Sequence, residues 1–312
     1  IFTAYCQDIV GNKNFTEYIN FTVQRGAPWV QFIDPTPAHA SHRPFVDVLV
    51  NVSSTDASDH YTFVDFDKSV VLWWKMDDVN ESGDINDSSK NDHDAVRFND
   101  ANQTYNGYWG KAFTFDGSGD YIEDSDGENY INGLSAFSMS LWIKPDSATN
   151  NDKGLFFAKT PDGTDTVFGL RYDELGANSG CTNCFKAGIT TSTGAQQIET
   201  SSGTQSTDWQ HVVLTWSAGK NLSVYIDGVL DSNSQISGTA DLDGTITGAD
   251  TFLLGQGAKD SLSTGGWDGL IDEVLFFNRS LDLYEIRSLF NATADQYYKN
   301  FSQLAFNSTH TY

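Results

Sequence analysis

The stretch Trp209-Gln210-His211-Val212-Val213-Leu214-Thr215-Trp216, followed by Leu222-Ser223-Val224-Tyr225-Ile226 and the turn pair Asp227-Gly228, decides the fold class. Both runs are rich in β-branched and aromatic residues and are bounded by turn formers, which is the pattern of β-strands. An Asp-Gly pair beside such a run is a strong hairpin signal. The stretch therefore predicts antiparallel strands, each burying alternate side chains.

Strand-like runs of the same kind recur along the chain, for example at residues 45–52 and 137–143. One short segment, residues 282–291, carries apolar residues at helical spacing. Many short strands between frequent turns predict an all-β protein made of sandwiches. The side chains expected to face the sandwich interior are Phe113, Phe115, Leu141, Ile143, Val213, Val224 and Ile226.

The composition excludes several classes of partner. The 312 residues carry a net charge of −24, which repels nucleic acid and anionic membrane surfaces. The longest apolar runs, such as residues 69–74, fall far short of the roughly 20 residues that span a bilayer. We therefore expect no nucleic-acid partner and no direct membrane insertion in this segment.

N-glycosylation sequons are the strongest compositional signal. Asn-X-Ser/Thr occurs eleven times, at Asn14, Asn20, Asn51, Asn80, Asn86, Asn102, Asn221, Asn278, Asn291, Asn300 and Asn307. A glycan must sit on the surface of an exported protein, so the sequons predict an extracellular or cell-surface glycoprotein. The alternative is that these triplets are β-turns rich in Asn, Ser and Thr.

The three cysteines lie at positions 6, 181 and 184. Cys181 and Cys184 share a loop rich in Gly, Asn and Ser, so a small disulfide is expected in an oxidising compartment. A redox-active pair would need a strand-to-helix context, and a zinc site would need a second Cys/His pair; neither is visible nearby. Cys6 alternates with apolar residues and is expected to be a buried free thiol.

The two termini suggest a split strand. Written end to end, residues 307–312 and residues 1–8 form one alternating strand, which would end at the turn of residues 8–12. We therefore expect the chain to be one unit of a head-to-tail array. Either it is a slice of a tandem-repeat protein, or each subunit completes its neighbour's sheet by strand addition. The alternative is that two unrelated edge strands merely look continuous.

Four motifs in order carry a family resemblance: residues 110–122, 137–145, 209–228, and 269–274 with the helix that follows. Together they resemble the laminin-G-like, concanavalin A-like domains. The flanking segments resemble the immunoglobulin-like segments beside such domains in archaeal surface proteins. The resemblance implies an all-β chain in which a concanavalin A-like jelly-roll sandwich is combined with an immunoglobulin-like β-sandwich.

The resemblance also implies a domain order. Residues 1–26 would be C-terminal strands of an immunoglobulin-like domain, completing a neighbouring unit, and residues 27–67 the N-terminal strands of such a domain. Residues 68–292 would form the laminin-G-like domain. Residues 293–312 would be immunoglobulin-like strands continuing toward the next unit.

Calcium is the cofactor that the resemblance implies. The positions matching the family's ligands are Asp87, Ser89, Asp116 and Asp272. Ca²⁺ takes 6 to 8 oxygen ligands, which clustered Asp and Asn residues with backbone carbonyls provide. The opening loop departs from the family pattern, because Lys90 and His93 stand where Gly or Asn is usual.

Glycan binding is the second implied activity. The loop aromatics Tyr108, Trp109 and Trp267 are the main candidates for stacking on sugars, with Tyr105 and Tyr121 as further ones. The alternative is that these rings cover the edge of the core.

Catalysis is not expected. Residues 123–128 place Ser125 where the fold's hydrolase motif needs an acid, and the sequence has no Gly-x-Ser-x-Gly elbow and no His-Glu-x-x-His pair. His211 lies in a core strand and is interpreted as structural.

The sequence therefore predicts a non-enzymatic extracellular glycoprotein that is a structural or adhesive repeat unit. The split terminal strand extends this expectation to the subunit of a head-to-tail filament. Its expected partners are copies of itself and cell-surface glycans. The alternative is a carbohydrate-binding accessory module of a larger secreted enzyme.

Overall fold

The computed structural model describes residues 2–3, 6–7, 13–14, 18–19, 29–34, 48–55, 68–149, 153–163, 166–173, 181–231, 234–256, 265–291 and 296–301. The chain divides into two compact units. Unit 1 comprises Ile1–Thr62 and Thr293–Ser308, and unit 2 comprises Phe63–Ala292 and Thr309–Tyr312. Neither helix in the described part of the chain has the length and apolarity needed to span a bilayer.

Strands dominate both units. In chain order they are β1 Phe2–Thr3, β2 Cys6–Gln7, β3 Lys13–Asn14, β4 Tyr18–Ile19, β5 Trp29–Ile33, β6 Val48–Thr55, β7 Val70–Trp74, β8 Val96–Phe98, β9 Asn102–Thr104, β10 Ala112–Asp116, β11 Tyr121–Asp124, β12 Ala136–Pro145, β13 Lys153–Lys159, β14 Thr166–Asp173, β15 Cys184–Thr191, β16 Gly194–Glu199, β17 Gln210–Ser217, β18 Ser223–Ile226, β19 Val229–Leu230, β20 Ser234–Gly238, β21 Thr251–Leu254, β22 Asp268–Phe277 and β23 Gln296–Phe301. The helices are α1 Glu128–Ile131 and α2 Leu283–Phe290.

The described residues of unit 1 form three small antiparallel sheets. β1 pairs with β4, and β2 pairs with β3. The third sheet has the order β23-β6-β5. β6 precedes unit 2 in the sequence, and β23 follows residue 292. Because these two strands pair, unit 1 is built from two separate segments of the sequence. The immunoglobulin-like character of this unit stays a prediction.

Unit 2 consists of two eight-stranded antiparallel sheets. The first has the order β19-β18-β17-β12-β22-β10-β9, with β7 also paired to β22. The second has the order β20-β16-β15-β14-β13-β21-β11-β8. This arrangement is the predicted jelly-roll sandwich.

Aromatic rings from both sheets form the core of the sandwich. Phe276 of β22 lies 6.1 Å from Phe168 of β14 and 6.4 Å from Phe252 of β21, measured between ring centroids. All three side chains are fully buried. Burial of large apolar surfaces of this kind is the main favourable term that holds two sheets together.

The prediction of inward-facing side chains is correct except at one position. Phe113, Phe115, Leu141, Ile143 and Val224 belong to the interior cluster, and Ile226 packs against it. Val213 instead packs with residues of α2 on the outer face of the first sheet. Neighbouring strand positions face opposite sides, so Val212 and Leu214 take the interior places.

The predicted helix forms as α2 and covers the outer face of the first sheet. Asp282 and Glu285 form a capping box, in which the Asp282 side chain accepts from the Glu285 backbone N–H and the Glu285 side chain accepts from the Asp282 backbone N–H. The Arg279 guanidinium donates to both oxygens of Glu285, at 2.7 and 3.1 Å. The cap and the ion pair fix the helix start over Val213 and Leu275.

A β-bulge in β22 places two consecutive acids on the outer face of that sheet. Ser140 of β12 pairs with Leu275, but Trp142 pairs with Asp272, so β22 has one residue more than β12 in this interval. Glu273 takes a φ of 50° there. As a result Asp272 and Glu273 lie between the interior residues Ile271 and Val274 without entering the core cluster.

Candidate functional site

An open polar pocket of about 590 Å³ lies between the β7–β8 segment and the start of β10. It is lined by Lys75, Asp77, Asp78, Val79, Asn86, Asp87, Ser88 and Lys111. Three carboxylates, one amide and two ammonium groups therefore face a volume within the usual range for small-ligand sites, roughly 300–1,000 Å³. This lining can both donate and accept hydrogen bonds.

The first wall of the pocket is the β7–β8 segment, where side-chain oxygens accept hydrogen bonds from backbone N–H groups of other residues. The Asn80 side-chain oxygen accepts from the backbone N–H groups of Ser82 and Asp84, at 2.8 and 2.9 Å. Asp87 accepts from the backbone N–H groups of Trp73, Ser89 and His93 and from the Ser89 hydroxyl. Such local bonds give a long irregular segment a defined shape.

The second wall is the segment that leads into β10. The Lys111 backbone N–H donates to the Asp77 carboxylate at 2.8 Å, and the Lys111 ammonium donates to the Gln103 side-chain oxygen at 2.7 Å. Gly110 has a φ of +56°, and a Cβ at this position would collide with the Asp77 carboxylate. Glycine is therefore required where the chain passes this acid.

Tyr105 presents the most exposed aromatic ring beside the pocket. The residue is 85% exposed. The Lys111 ammonium lies 5.2 Å from the centroid of its ring, a cation–π contact. The same lysine lines the pocket, so the open ring and the polar cavity are adjacent.

Two buried acids, Asp272 and Glu273, lie beneath the pocket walls. The Asp272 carboxylate accepts from the backbone N–H of Trp109 at 2.9 Å and from that of Glu273 at 2.8 Å. Burial raises the pKa of Asp272 to about 8 despite these hydrogen bonds, and the charge of Asp77 adds to the shift. Burial also raises the pKa of Asp77, and it raises that of Glu273 well above its ordinary value. These acids position the walls of the pocket.

The candidate aromatic residues have different environments. Tyr108 is half-buried, stacks on Trp142 with 3.4 Å between ring centroids, and meets Trp109 edge-on at 5.6 Å. Trp109 is also half-buried. Both rings are therefore partly covered, and glycan stacking on them stays a prediction.

The assignment of Trp267 to a sugar-binding surface is wrong. Its side chain is fully buried, packs edge-on against Tyr172 at 5.2 Å between ring centroids, and donates its indole N–H to the Leu270 carbonyl oxygen. An indole without an exposed face cannot stack on a ligand in solution.

The four predicted calcium ligands do not fit one cation. Asp87 and Ser89 are adjacent, but each Asp87 oxygen already accepts two hydrogen bonds. Asp116 is exposed and pairs with Asp268 of β22. Asp268 precedes Asp272 by four residues, so the backbone positions of Asp268 and Asp272 lie about 13 Å apart along the strand. Asp272 is fully buried. Calcium binding elsewhere in the chain stays a prediction.

The sequons differ in their accessibility. The side chains of Asn80, Asn102, Asn221, Asn278 and Asn291 are exposed, and that of Asn86 is half-buried in the pocket wall. Asn14, Asn51 and Asn300 lie on β3, β6 and β23. Asn20 and Asn307 lie outside the described residues. Glycosylation stays a prediction at all eleven positions.

The cysteines lie in both units. A disulfide joins Cys181 and Cys184 at the start of β15. Cys6 lies on β2 in unit 1. The environment of the Cys6 thiol is outside the described residues.

Two eight-stranded antiparallel sheets packed face to face form a jelly-roll sandwich, the architecture of concanavalin A-like domains. The chain belongs to the concanavalin A-like lectin/glucanases superfamily, whose family model matches residues 116–287, more than half of the chain. No curated protein matches the sequence.

Solved structures resemble this chain at low sequence identity. Domain 4 of AbnA, an extracellular arabinanase from Geobacillus stearothermophilus solved with arabinotriose, has a TM-score of 0.48 and 19% identity over 71% of this chain and 98% of that domain. Botulinum neurotoxin type C, whose cell entry depends on interaction with two ganglioside molecules, has a TM-score of 0.51 and 16% identity over 73% of this chain and 52% of that chain.

A sialidase from Trypanosoma rangeli has a TM-score of 0.51 and 20% identity over 71% of this chain and 32% of that chain. The chain thus spans about half of the matched toxin chain and about a third of the sialidase. At these identities the likeness concerns the fold alone.

Proposed function

We propose that unit 2 is a non-catalytic carbohydrate-binding module of an extracellular or cell-surface glycoprotein. The observation that carries the proposal is the exposed ring of Tyr105, which lies under the Lys111 ammonium beside the polar pocket. The apolar face of a sugar ring would stack on Tyr105, and its hydroxyl groups would bond to the Asp77 and Asp78 carboxylates and to the ammonium groups of the pocket.

The acids near the pocket favour binding over hydrolysis. A glycosidase needs two carboxylates facing each other across a cleft, roughly 5–10 Å apart. Here Asp272 is buried beneath the wall, and Asp87 uses both oxygens to hold its loop. On β11, Glu123 pairs with Lys159 at 3.6 Å, and Asp124 is buried.

The family description and one matched protein support the glycan-binding part of this proposal. The family is described as concanavalin A-like lectins and glucanases. Botulinum neurotoxin type C interacts with ganglioside molecules. The ligand of this chain is accordingly proposed to be a glycan.

Replacing Tyr105 with alanine is expected to weaken glycan binding about fivefold to tenfold, because the stacking face is lost while the fold is kept. The measurement is a glycan array with the full chain, followed by calorimetric titration of the best sugar. Tyr284→Ala is the matched control, since Tyr284 is also exposed, at 73%, but lies on α2. Equal losses in both variants, or no sugar bound by the unaltered chain, would contradict the proposal.

Self-association is a second candidate function. Among the described residues, β1 to β4 pair only with one another, and the sheet β23-β6-β5 has only three strands. Strand addition from a neighbouring copy would extend such small sheets. We expect electron microscopy of the purified chain to show linear assemblies that disappear when residues 1–26 are deleted. Assemblies that survive the deletion, or monodisperse particles of the full chain, would count against it.

A further inference from the structure

A cluster of metal-binding side chains lies on the second sheet, at the start of β15 and the end of β16. The sulfur atoms of Cys181 and Cys184 and a carboxylate oxygen of Glu199 lie within 4.8 Å of one another, and all three residues are buried. The geometry points to a redox-gated metal site. When the Cys181–Cys184 disulfide is reduced, the two thiolates and Glu199 bind a thiophilic divalent cation such as Zn²⁺.

The cysteine loop is held in place by bonds that do not depend on the disulfide. The Gly203 N–H donates to the Thr182 carbonyl oxygen at 2.8 Å, and the Thr204 N–H donates to the Asn183 carbonyl oxygen at 2.9 Å. The Gln205 side-chain amide donates to the Cys184 carbonyl oxygen at 3.1 Å. Reduction therefore leaves the two sulfur atoms in the same loop, facing the same neighbours.

The third ligand is fixed by the sheet. Glu199 pairs with Lys186 in the ladder between β16 and β15. The next residue, Thr200, accepts the Phe185 N–H on its hydroxyl at 2.8 Å and donates its own N–H to the Phe185 carbonyl oxygen at 2.9 Å. Glu199 is thus brought to the cysteines by strand register, although it lies fifteen residues beyond Cys184 in the sequence.

The donor set suits a soft divalent cation. The sequence shows no second Cys/His pair near these cysteines, but the fold supplies the Glu199 carboxylate as an oxygen ligand instead. Two thiolates in Cys-x-x-Cys spacing and this carboxylate fill three of the four positions that Zn²⁺ takes. The fourth is open to water or another donor. The side-chain oxygen of Asn183, between the two cysteines in the chain, is buried and has no hydrogen-bond partner among the described residues. A buried acid beside two thiolates is stabilised by the cation's charge.

The redox step balances with a thiol reductant. Two small thiols deliver two electrons and two protons, becoming a disulfide, and the protein disulfide becomes two thiols. Zn²⁺ then displaces the two thiol protons to solvent as the metal–sulfur bonds form. In the oxidised state the same two sulfur atoms are bonded to each other and cannot bind the ion.

The test uses the full chain before and after reduction by a thiol, incubated anaerobically with Zn²⁺ and freed of excess metal. Elemental analysis should find about one Zn²⁺ per reduced chain and none per oxidised chain. Zn²⁺ should also raise the melting temperature of the reduced chain, because it binds only the folded state. If the reduced, unaltered chain binds no zinc, that result alone overturns the proposal.

Variants identify the ligands. Cys181→Ser with Cys184→Ser should abolish zinc binding, and Glu199→Gln should weaken it by at least on the order of tenfold. Cys6→Ser is the matched control and should bind as the unaltered chain does, because Cys6 belongs to unit 1. Circular dichroism establishes that each variant is folded. Loss of binding in Cys6→Ser, or unchanged affinity in folded Glu199→Gln, would overturn the assignment.

Discussion

Replacing Phe276 with alanine is expected to lower the free energy of unfolding by about 3–5 kcal/mol, the largest loss we expect from one substitution in this chain. The ring is fully buried and lies near the C-terminal end of β22. It contacts Phe137 of its own sheet at 5.9 Å and Phe168 and Phe252 of the other sheet, between ring centroids. Removing it opens a cavity between the two sheets, and surrounding side chains relax only partially around such a cavity.

Urea unfolding, followed by near-ultraviolet circular dichroism, measures this loss. Tyr284→Ala serves as the control, because that ring is 73% exposed and its removal should change stability by no more than about 0.5 kcal/mol. A loss below about 1 kcal/mol for Phe276→Ala would mean that the two sheets are not held together by this aromatic cluster.

The sequence predicts the sandwich because the alternation of side chains along a strand depends only on residues that are close in the sequence. Alternating side chains on a strand face opposite sides, so residues 137–143 and 209–216 reveal their core faces without knowledge of their partners. The same rule fails at Val213, because α2 provides a second apolar surface on the outer side of the sheet. A run that is apolar on both faces does not say which face is the interior.

The candidate site is less predictable, because its parts are joined only by the fold. Asp87 and Asp116 match the family's calcium ligands in position, but their carboxylates accept hydrogen bonds from nearby backbone N–H groups. Trp267 precedes an Asp-Gly turn pair and resembles a surface residue, yet its indole fills the core. The ring of Tyr105 and its contact with Lys111 depend on how one short segment turns back into β10.

The same limit applies to Glu199. The Cys-x-x-Cys motif is visible in the sequence, but no local signal links it to an acid fifteen residues beyond. Only the register of β15 and β16 brings the carboxylate to the sulfur atoms. Long-range register of this kind is set by the sheet as a whole.

The last prediction concerns acid pH and His211, which is buried on the outer face of the first sheet. Its Nε2 atom lies 2.9 Å from the Ser140 hydroxyl, and its ring lies 5.1 Å from that of Trp142 and 6.1 Å from that of Phe290. Its Nδ1 atom has no hydrogen-bond partner among the described residues. Burial lowers the pKa of His211 to about 3 from its ordinary value of 6.5, because an imidazolium there would lose its hydration.

The direction in which stability changes with pH follows from which state of the chain binds the proton. Between pH 6.5 and pH 3 the unfolded chain protonates this histidine and the folded chain does not, so the folded state loses stability as the pH falls. By pH 4 the loss from this residue is about 3 kcal/mol. The glutamine of His211→Gln does not titrate, so this variant does not lose stability through that position as the pH falls. Between pH 7 and pH 4, the unfolding free energy of the unaltered chain should therefore fall by about 3 kcal/mol more than that of the variant. Asp272 titrates in both proteins and cancels in the difference.

Urea titrations at a series of pH values from 7 to 4 measure the difference. Ser140→Ala is the control, because it removes the hydrogen bond to the ring but keeps the buried imidazole. It should be less stable than the unaltered chain by a nearly constant amount, about 1–2 kcal/mol, across the pH range. His211→Gln should instead converge on the unaltered chain as the pH falls. If the curves of His211→Gln and the unaltered chain run parallel, then the buried ring does not oppose protonation and His211 is hydrated in the folded protein.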